Sequence, residues 1–256
     1  MPKPYIKSRV AKSAVRFVLD PLGFTVPRAY LRHVDDQQVH FFHMGRCAGT
    51  TIKDLIEQIN QTTEGTTLVA HEHKVVLANI PEQARYFFAI REPVDRFFSA
   101  FNWRQARQKL TSRGPDSYSQ QERKAFARFA SANELAESLF ADGERGIEAF
   151  TAMQEIKHVN RPMHSWFSSV EEPLSIRPPL CIIRLEKMQH DLNFLVSKLE
   201  IDNGRDLASE KRKRHLNVYV APPPLSELAI ENLRRWYATD IQFYELAKGW
   251  AAQHQD

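Results

Sequence analysis

The apolar positions of this chain change rhythm several times, and each change marks an element. Val39-His40-Phe41-Phe42-His43-Met44 is a short run of strand formers closed by Gly45. After Gly49, Ile52, Leu55, Ile56 and Ile59 recur at the i, i+3, i+4, i+7 spacing of an amphipathic helix. Thr67-Leu68-Val69-Ala70 reads as a second short strand, ending at His71-Glu72-His73. Tyr86-Phe87-Phe88-Ala89-Ile90 is continuously apolar, as a strand covered on both faces should be. Pro93 then sits at a helix start, with Glu92 and Asp95 near its positive end and Val94, Phe97, Phe98 and Phe101 as the buried stripe.

Residues 105–124 are polar, contain Gly114 and Pro115, and read as a loop. Residues 125–158 read as helical, with Phe126, Phe129, Leu135, Leu139, Phe150 and Met153 as core candidates. Leu180 to Leu185 is a further strand, followed by a helix carrying Met188, Leu192, Leu195 and Leu199. Pro222-Pro223-Pro224 precedes a last helix that Ser226 or a neighbour caps. Residues 1–36 lack clear periodicity and read as an N-terminal extension to a domain over residues 37–250. Strands alternating with helices predict an α/β fold: a single domain with a central, mainly parallel sheet flanked by helices.

Composition narrows the setting. The 256 residues are 43% hydrophobic, enough to bury one sizeable core. A net charge of +4 does not demand nucleic acid as a partner, yet suits a chain that holds an anionic ligand. Two distant cysteines, Cys47 and Cys181, form no disulfide framework. No apolar run approaches the roughly 20 residues of a membrane span. The basic N-terminus is followed by Ala14-Val15-Arg16-Phe17-Val18-Leu19-Asp20, which charge interrupts, so it lacks the apolar core of a signal peptide. The expectation is a soluble cytoplasmic protein with no integral membrane segment.

Two segments carry candidate chemistry. His43-Met44-Gly45-Arg46-Cys47-Ala48-Gly49-Thr50-Thr51 joins a strand to a helix in a P-loop-like strand-loop-helix. Small residues at Ala48 and Gly49 let the backbone approach a ligand, and the first helix amides point outward, unpaired, at the positive end of the dipole. Arg46 adds a planar fork of donors, and Thr50 and Thr51 add hydroxyls. The bland alternative is an ordinary turn in which Gly and Thr act as punctuation and cap. The segment is not a Walker A loop, which needs four residues between its glycines and a Lys-Ser/Thr pair after them.

The second segment runs from Phe88 to Phe101 and places Arg91 at a strand end, on the carboxyl edge where open α/β sheets bind ligands. Ser99 lies two helical turns on and shares an edge with Arg91, so the two can grip one phosphate. Read singly, Arg91 also suits an ion pair with Glu92 or Asp95, and Ser99 a close helix–sheet contact.

Together the segments resemble the PAPS-dependent sulfotransferases (PAPS, 3′-phosphoadenosine 5′-phosphosulfate), especially the carbohydrate-modifying group. There a strand-loop-helix of the type P-K-T-G/A-G-T-T/S wraps the 5′-phosphosulfate, and a later R-x-P-x-x-R-x-x-S segment binds the 3′-phosphate. The first is present here as Gly45-Arg46-Cys47-Ala48-Gly49-Thr50-Thr51, with Gly45 for proline and Arg46 for lysine. The second is complete as Arg91-Glu92-Pro93-Val94-Asp95-Arg96-Phe97-Phe98-Ser99. Fainter likeness runs through Ile183-Arg184-Leu185-Glu186-Lys187-Met188 to Trp236-Tyr237, Asp240 and Tyr244, covering residues 39 to 246. The resemblance implies PAPS as sulfuryl donor, held by Arg46, Cys47, Ala48, Gly49, Thr50, Thr51, Arg91 and Ser99. It implies a small-molecule or glycan acceptor, with a saccharide hydroxyl preferred.

Sulfuryl transfer, like phosphoryl transfer, depends on positioning and on stabilising spread negative charge. Arg46 and the amides at Gly49, Thr50 and Thr51 are placed to stabilise the bridging oxygen. Arginine does not deprotonate, so a lysine-like proton-donor role is in doubt. The donor has no polyphosphate bridge for a metal to neutralise, and no metal is expected. The acceptor hydroxyl needs a base, for which His is the best-tuned side chain. His71 is the first candidate, His73 the second and Glu72 the third. A zinc reading of this triplet lacks a cysteine at ligand-like spacing. His158, His164 and Trp166 are candidates for an acceptor cleft.

Lys211-Arg212-Lys213-Arg214 reads first as a solvated face and second as a cover over the 3′-phosphate side of the nucleotide. Two other classes compete with the transferase. A P-loop phosphotransferase would need a turn lysine and an acidic magnesium ligand. A non-catalytic basic module for nucleic acid or acidic glycan would centre on residues 211–214 and leave the phosphate motifs idle.

Overall fold

The computed structural model describes residues 17–19, 25–27, 38–63, 65–110, 118–201 and 223–256, with backbone alone at 17–19, 25–27 and 108–110. Strands β1 (Phe17–Leu19) and β2 (Thr25–Pro27) pair antiparallel as a small ribbon within the stretch read as an extension. The main sheet holds β3 (Gln38–Phe42), β4 (Thr67–Ala70), β5 (Arg85–Ile90) and β6 (Cys181–Arg184). Its order is β4-β3-β5-β6, and every pairing is parallel. In register, Phe41 faces Ala70 on one side and Phe87 on the other, and Phe87 faces Cys181.

The connections explain where a site can form. Helix α1 (Gly49–Thr62) carries the chain from β3 to β4 on one side, and the chain then steps past β3 to form β5 on the other. The loops leaving β3 and β5 therefore diverge and open a crevice at their carboxyl ends. The Gly45–Gly49 loop leaves β3, and Arg91 follows β5.

The sheet is buried on both faces. Val39, Phe41, Phe42 and the whole of Tyr86 to Ile90 are buried, as the unbroken apolar runs predict. The α1 stripe of Ile52, Leu55, Ile56 and Ile59 is buried against them. A second apolar cluster forms beside the sheet around Phe97, Phe101, Phe129, Leu135, Met153 and Leu233.

The helical region departs from the expected pattern in three places. Helix α2 (Pro93–Leu110) runs on through residues expected to be loop. Arg104 on α2 donates to Glu122 at 2.7 Å, and Tyr118 Oη donates to the Arg104 carbonyl at 2.9 Å, so charged residues that look solvated are buried partners. The expected helix over 125–158 is three helices: α3 (Gln120–Arg128), α4 (Ala132–Glu137) and α5 (Glu144–Glu155). Ser131 Oγ accepts from the Glu134 amide to start α4, and Gly143 at φ 72° opens α5. Phe150, expected in the core, is 49% exposed and rests edge-on against Trp236. After α6 (Met188–Lys198), the last helix divides into α7 (Glu227–Trp236), capped by Ser226 Oγ on the Ala229 amide, and α8 (Ala238–Gln255). No helix among the described residues is long and apolar enough to cross a membrane.

One buried ion pair ties β6 to α6. The Arg184 fork donates to Asp191 through Nη2 at 2.6 Å and Nε at 3.0 Å, and the Arg184 amide donates to the same carboxylate at 2.8 Å. Both side chains are almost fully buried. Breaking a buried pair costs about 3–5 kcal/mol when the remaining charge is left uncompensated; Arg184 Nη2 also donates to Asp256 at 2.7 Å, so the lower end of that range applies, about 3 kcal/mol. Asp191→Ala should destabilise the protein by that amount in urea unfolding; a loss below about 1 kcal/mol would contradict the assignment.

Candidate active site

Chain direction at the loop after β3 is set by two left-handed residues, Arg46 at φ 69° and Ala48 at φ 53°. Ala48 occupies the N-cap position of α1 and offers no side-chain cap, and Ile52 is the first residue to bond back, to the Ala48 carbonyl at 3.1 Å. The amides of Gly49, Thr50 and Thr51 thus keep their donors for a ligand. Cys47 turns the other way. Its thiol is fully buried against the Gly45 carbonyl and Met163, its amide closes the turn on the Met44 carbonyl, and burial pushes its pKa up.

Arg96 holds this loop from below. It is 2% exposed, its Nε donates to the Gly45 carbonyl at 2.9 Å, and its Nη2 donates to the Arg161 carbonyl at 2.7 Å. Asp240 lies 3.9 Å from Arg96 and also accepts from the Met163 and His164 amides and from His164 Nδ1.

Above the loop lies a cleft of about 450 Å³, lined by Gly49, Thr50, Thr51, Arg46, Arg91 and Ser99 on one side and by His43, His73, His158 and Trp103 on the other. That volume is typical of small-molecule sites, roughly 300–1,000 Å³. No carboxylate lines it among the described residues. Neither Glu92 nor Asp95 pairs with Arg91 among those residues; Glu92 instead accepts from the Asp95 amide at 2.7 Å. Ser99 is 3% exposed, and its hydroxyl accepts from Arg46 Nη2 at 2.9 Å and Nε at 3.2 Å. A ligand bonding to Ser99 Oγ would have to displace or bridge Arg46.

The three residues after β4 part company. His71 is buried, its Nε2 sharing a proton with His40 Nδ1 at 2.8 Å, and its ring stacks on His40. Glu72 is exposed beside Lys74. His73 alone of the three lines the cleft. Its Nδ1 donates to the His43 carbonyl at 2.6 Å, which leaves Nε2 with the lone pair. Arg161 Nη1 donates to the His73 carbonyl, and the Arg161 guanidinium packs 3.6 Å from the Trp166 ring centre. The His73 ring meets His43 at 4.1 Å and His158 at 5.0 Å.

These imidazoles are held neutral. Burial, with His73 and Lys53 adding to it, pushes His43 down to about 3. Burial and neighbouring His73, Lys157, Arg46 and Arg104 push His158 down to about 2. His73 is lowered by burial first, against a bond to the His43 carbonyl that pulls upward, and then by Lys53, Lys157 and Arg161.

Of the acceptor-cleft candidates, His158 reaches this cleft, His164 pairs with Asp240 in a smaller pocket, and Trp166 is core. The 211–214 run lies outside the described residues. Sequence reading passed over three participants: His43, which looked like one more strand position; Trp103, four residues after Ser99 on the same helix edge; and Arg96, whose burial no spacing shows.

Fold and cleft define an α/β protein that can hold an anion at the carboxyl edge of a parallel sheet. A profile of the Sulfotransferase family matches residues 30–247, and the chain belongs to that family. Sulfuryl transfer is accordingly its general activity. No significant match was found among curated proteins or among solved structures.

Gly49 is needed for the cradle itself, since a Cβ there would lie 1.7 Å from His43 Nε2. Overpacking of this kind costs about 1–3 kcal/mol. Gly49→Ala should lower the melting temperature by several degrees; an unchanged melting temperature would mean that the His43 ring moves aside without cost.

Proposed function

We propose that the chain transfers a sulfuryl group from PAPS to an acceptor hydroxyl, on a saccharide by preference, with His73 as the base. What carries the reading is the convergence, in one cleft that no carboxylate lines among the described residues, of the uncapped α1 terminus, Arg46, Arg91 and Ser99, facing a neutral imidazole. When bound, PAPS supplies an activated sulfuryl group on a phosphate leaving group.

The residues present suit that donor. The amides of Gly49, Thr50 and Thr51 and the Arg46 guanidinium hold the 5′ end and stabilise the charge that develops on its bridging oxygen. Arg91, with Ser99 once Arg46 exchanges that hydroxyl for a ligand oxygen, holds the 3′-phosphate. His73 Nε2 accepts the proton of the acceptor hydroxyl, while the His43 carbonyl fixes the ring through Nδ1. His71, the first candidate by sequence, is buried against His40 instead, so the geometry favours His73. A magnesium-dependent phosphotransferase lacks support, because no acid lines the cleft among the described residues and the turn carries no lysine. The absence of a metal requirement and a cytoplasmic location belong to the same proposal.

Ligand-linked stability tests the donor. Adenosine 3′,5′-bisphosphate (PAP) at 100 times its dissociation constant should add about 2.7 kcal/mol, a rise in melting temperature on the order of 5–10 °C. ATP with magnesium should add little. An equal response to ATP–magnesium, or none to PAP, defeats the reading.

Variants and pH test the base. His73→Ala should lose roughly 10²-fold or more in turnover while PAP affinity stays within about threefold. His71→Asn, if folded, should keep most of its turnover. His73 must be neutral to accept a proton, and its pKa lies below the ordinary His value of about 6.5. Turnover should therefore be flat from pH 7 to 8 and fall only through an acid limb centred below 6.5. Loss of turnover on His71→Asn with His73→Ala active would move the base to His71.

A further inference from the structure

Arg46 is drawn onto one edge of α2 at two points four residues apart. Its guanidinium donates to Ser99 Oγ, and its central carbon lies 5.0 Å from the centre of the Trp103 ring. A residue four positions on along a helix stands directly beside the first, so Ser99 and Trp103 form one rack. Trp103 is itself held in place. Arg107 lies over the same ring at 4.9 Å, Arg104 at 6.0 Å, and the edge of His158 meets it at 5.8 Å. The backbone under Arg46 is left-handed, a conformation uncommon for a side-chain-bearing residue, so the loop alone does not choose where the long arginine side chain goes.

We propose that Trp103 is a positioning residue for Arg46: its ring face fixes the guanidinium at the mouth of the anion loop in the orientation an incoming 5′-phosphosulfate meets. This rests on the sulfuryl-transfer reading. An aromatic face attracts a cation without using any of its N–H donors, whereas the Ser99 hydroxyl occupies two of them. When a 3′-phosphate claims Ser99, the stacked contact remains and keeps Arg46 at the loop. Arg46 can then exchange a hydroxyl for a ligand oxygen without losing its place.

A double-mutant cycle on the full chain, read by calorimetric titration with PAP, tests this without knowledge of the acceptor. Trp103→Leu should weaken PAP binding roughly three- to tenfold, and Trp103→Phe, which keeps a ring face, should stay within about twofold. Arg46→Ala should weaken binding at least tenfold or so, and adding Trp103→Leu to it should weaken binding no further. A simple packing role would move stability and would reduce affinity equally with and without Arg46; equal losses in the two backgrounds overturn the proposal. If Trp103→Leu does not fold, Trp103→Met carries the same cycle. Wild-type protein that fails to bind PAP defeats the reading of PAPS as donor and this proposal with it. Wild-type binding with additive losses defeats the role of Trp103 alone.

Discussion

The site hangs on one buried guanidinium. Arg96 lies beneath the loop that follows β3, where its Nε takes the Gly45 carbonyl and its Nη2 takes the Arg161 carbonyl. A buried charge left unpaired would be costly, and Asp240, itself 1% exposed, answers it from the start of α8. Asp240 also anchors the turn at Met163 and His164. One charge pair therefore ties the loop after β3, the helix after β5 and the end of the chain's helical layer to a common point. Arg161, held by Arg96, in turn donates to the His73 carbonyl, so the two walls of the cleft are referenced to the same side chain. In the loop so held, the missing side chains at Gly45 and Gly49 leave room for the rings of His158 and His43.

Much of this was legible because the sheet follows simple rules. Apolar runs marked all four strands of the main sheet, and the α1 stripe fell on Ile52, Leu55, Ile56 and Ile59. The carboxyl-edge position of Arg91 and the Gly49 loop followed from strand-helix alternation alone. The helical region was harder, since tertiary partners decide it. Arg104 and Glu122 look like surface charges in sequence and lie buried in each other's grip. Phe150 looks like core and lies half-exposed. The histidines show the same limit: His71 and His73 are two residues apart, a spacing that a continued strand would place on one face, but both lie beyond the end of β4, where the pleat no longer says which ring enters the cleft. Only the pairing of His71 with His40, on the adjacent strand, separates them.

Arg46 illustrates how a substitution in a motif changes the physics around it. A lysine in that position would present a compact charge on a flexible stem; an arginine presents a flat, weakly hydrated fork that stacks and bonds at once. The neighbourhood matches the fork. A ring for its face stands at Trp103 and a hydroxyl for its edge at Ser99, both supplied by α2. Strand β5 and the start of α2 thus contribute Arg91 directly and hold Arg46 indirectly, which joins two sequence motifs about fifty residues apart into one surface.

The same field that favours an anion also sets the imidazoles. Burial lowers the histidines around the cleft first, and Lys53 and Lys157, with Arg161 at His73 and Arg46 at His158, lower them further. A neutral ring is what a base must be, yet a pKa pressed far down makes a weak one. An anion seated in the cleft would offset part of the charge of Lys53, Lys157 and Arg161, and would raise the basicity of His73. Its bond to the His43 carbonyl already works in that direction. In a cleft without a single carboxylate among its described residues, the negative charge that restores a useful base has to come from the ligand itself. On the proposed reading of His73 as the base, proton acceptance is thereby coupled to occupancy, and an empty site is poorly set to take a proton from a stray hydroxyl.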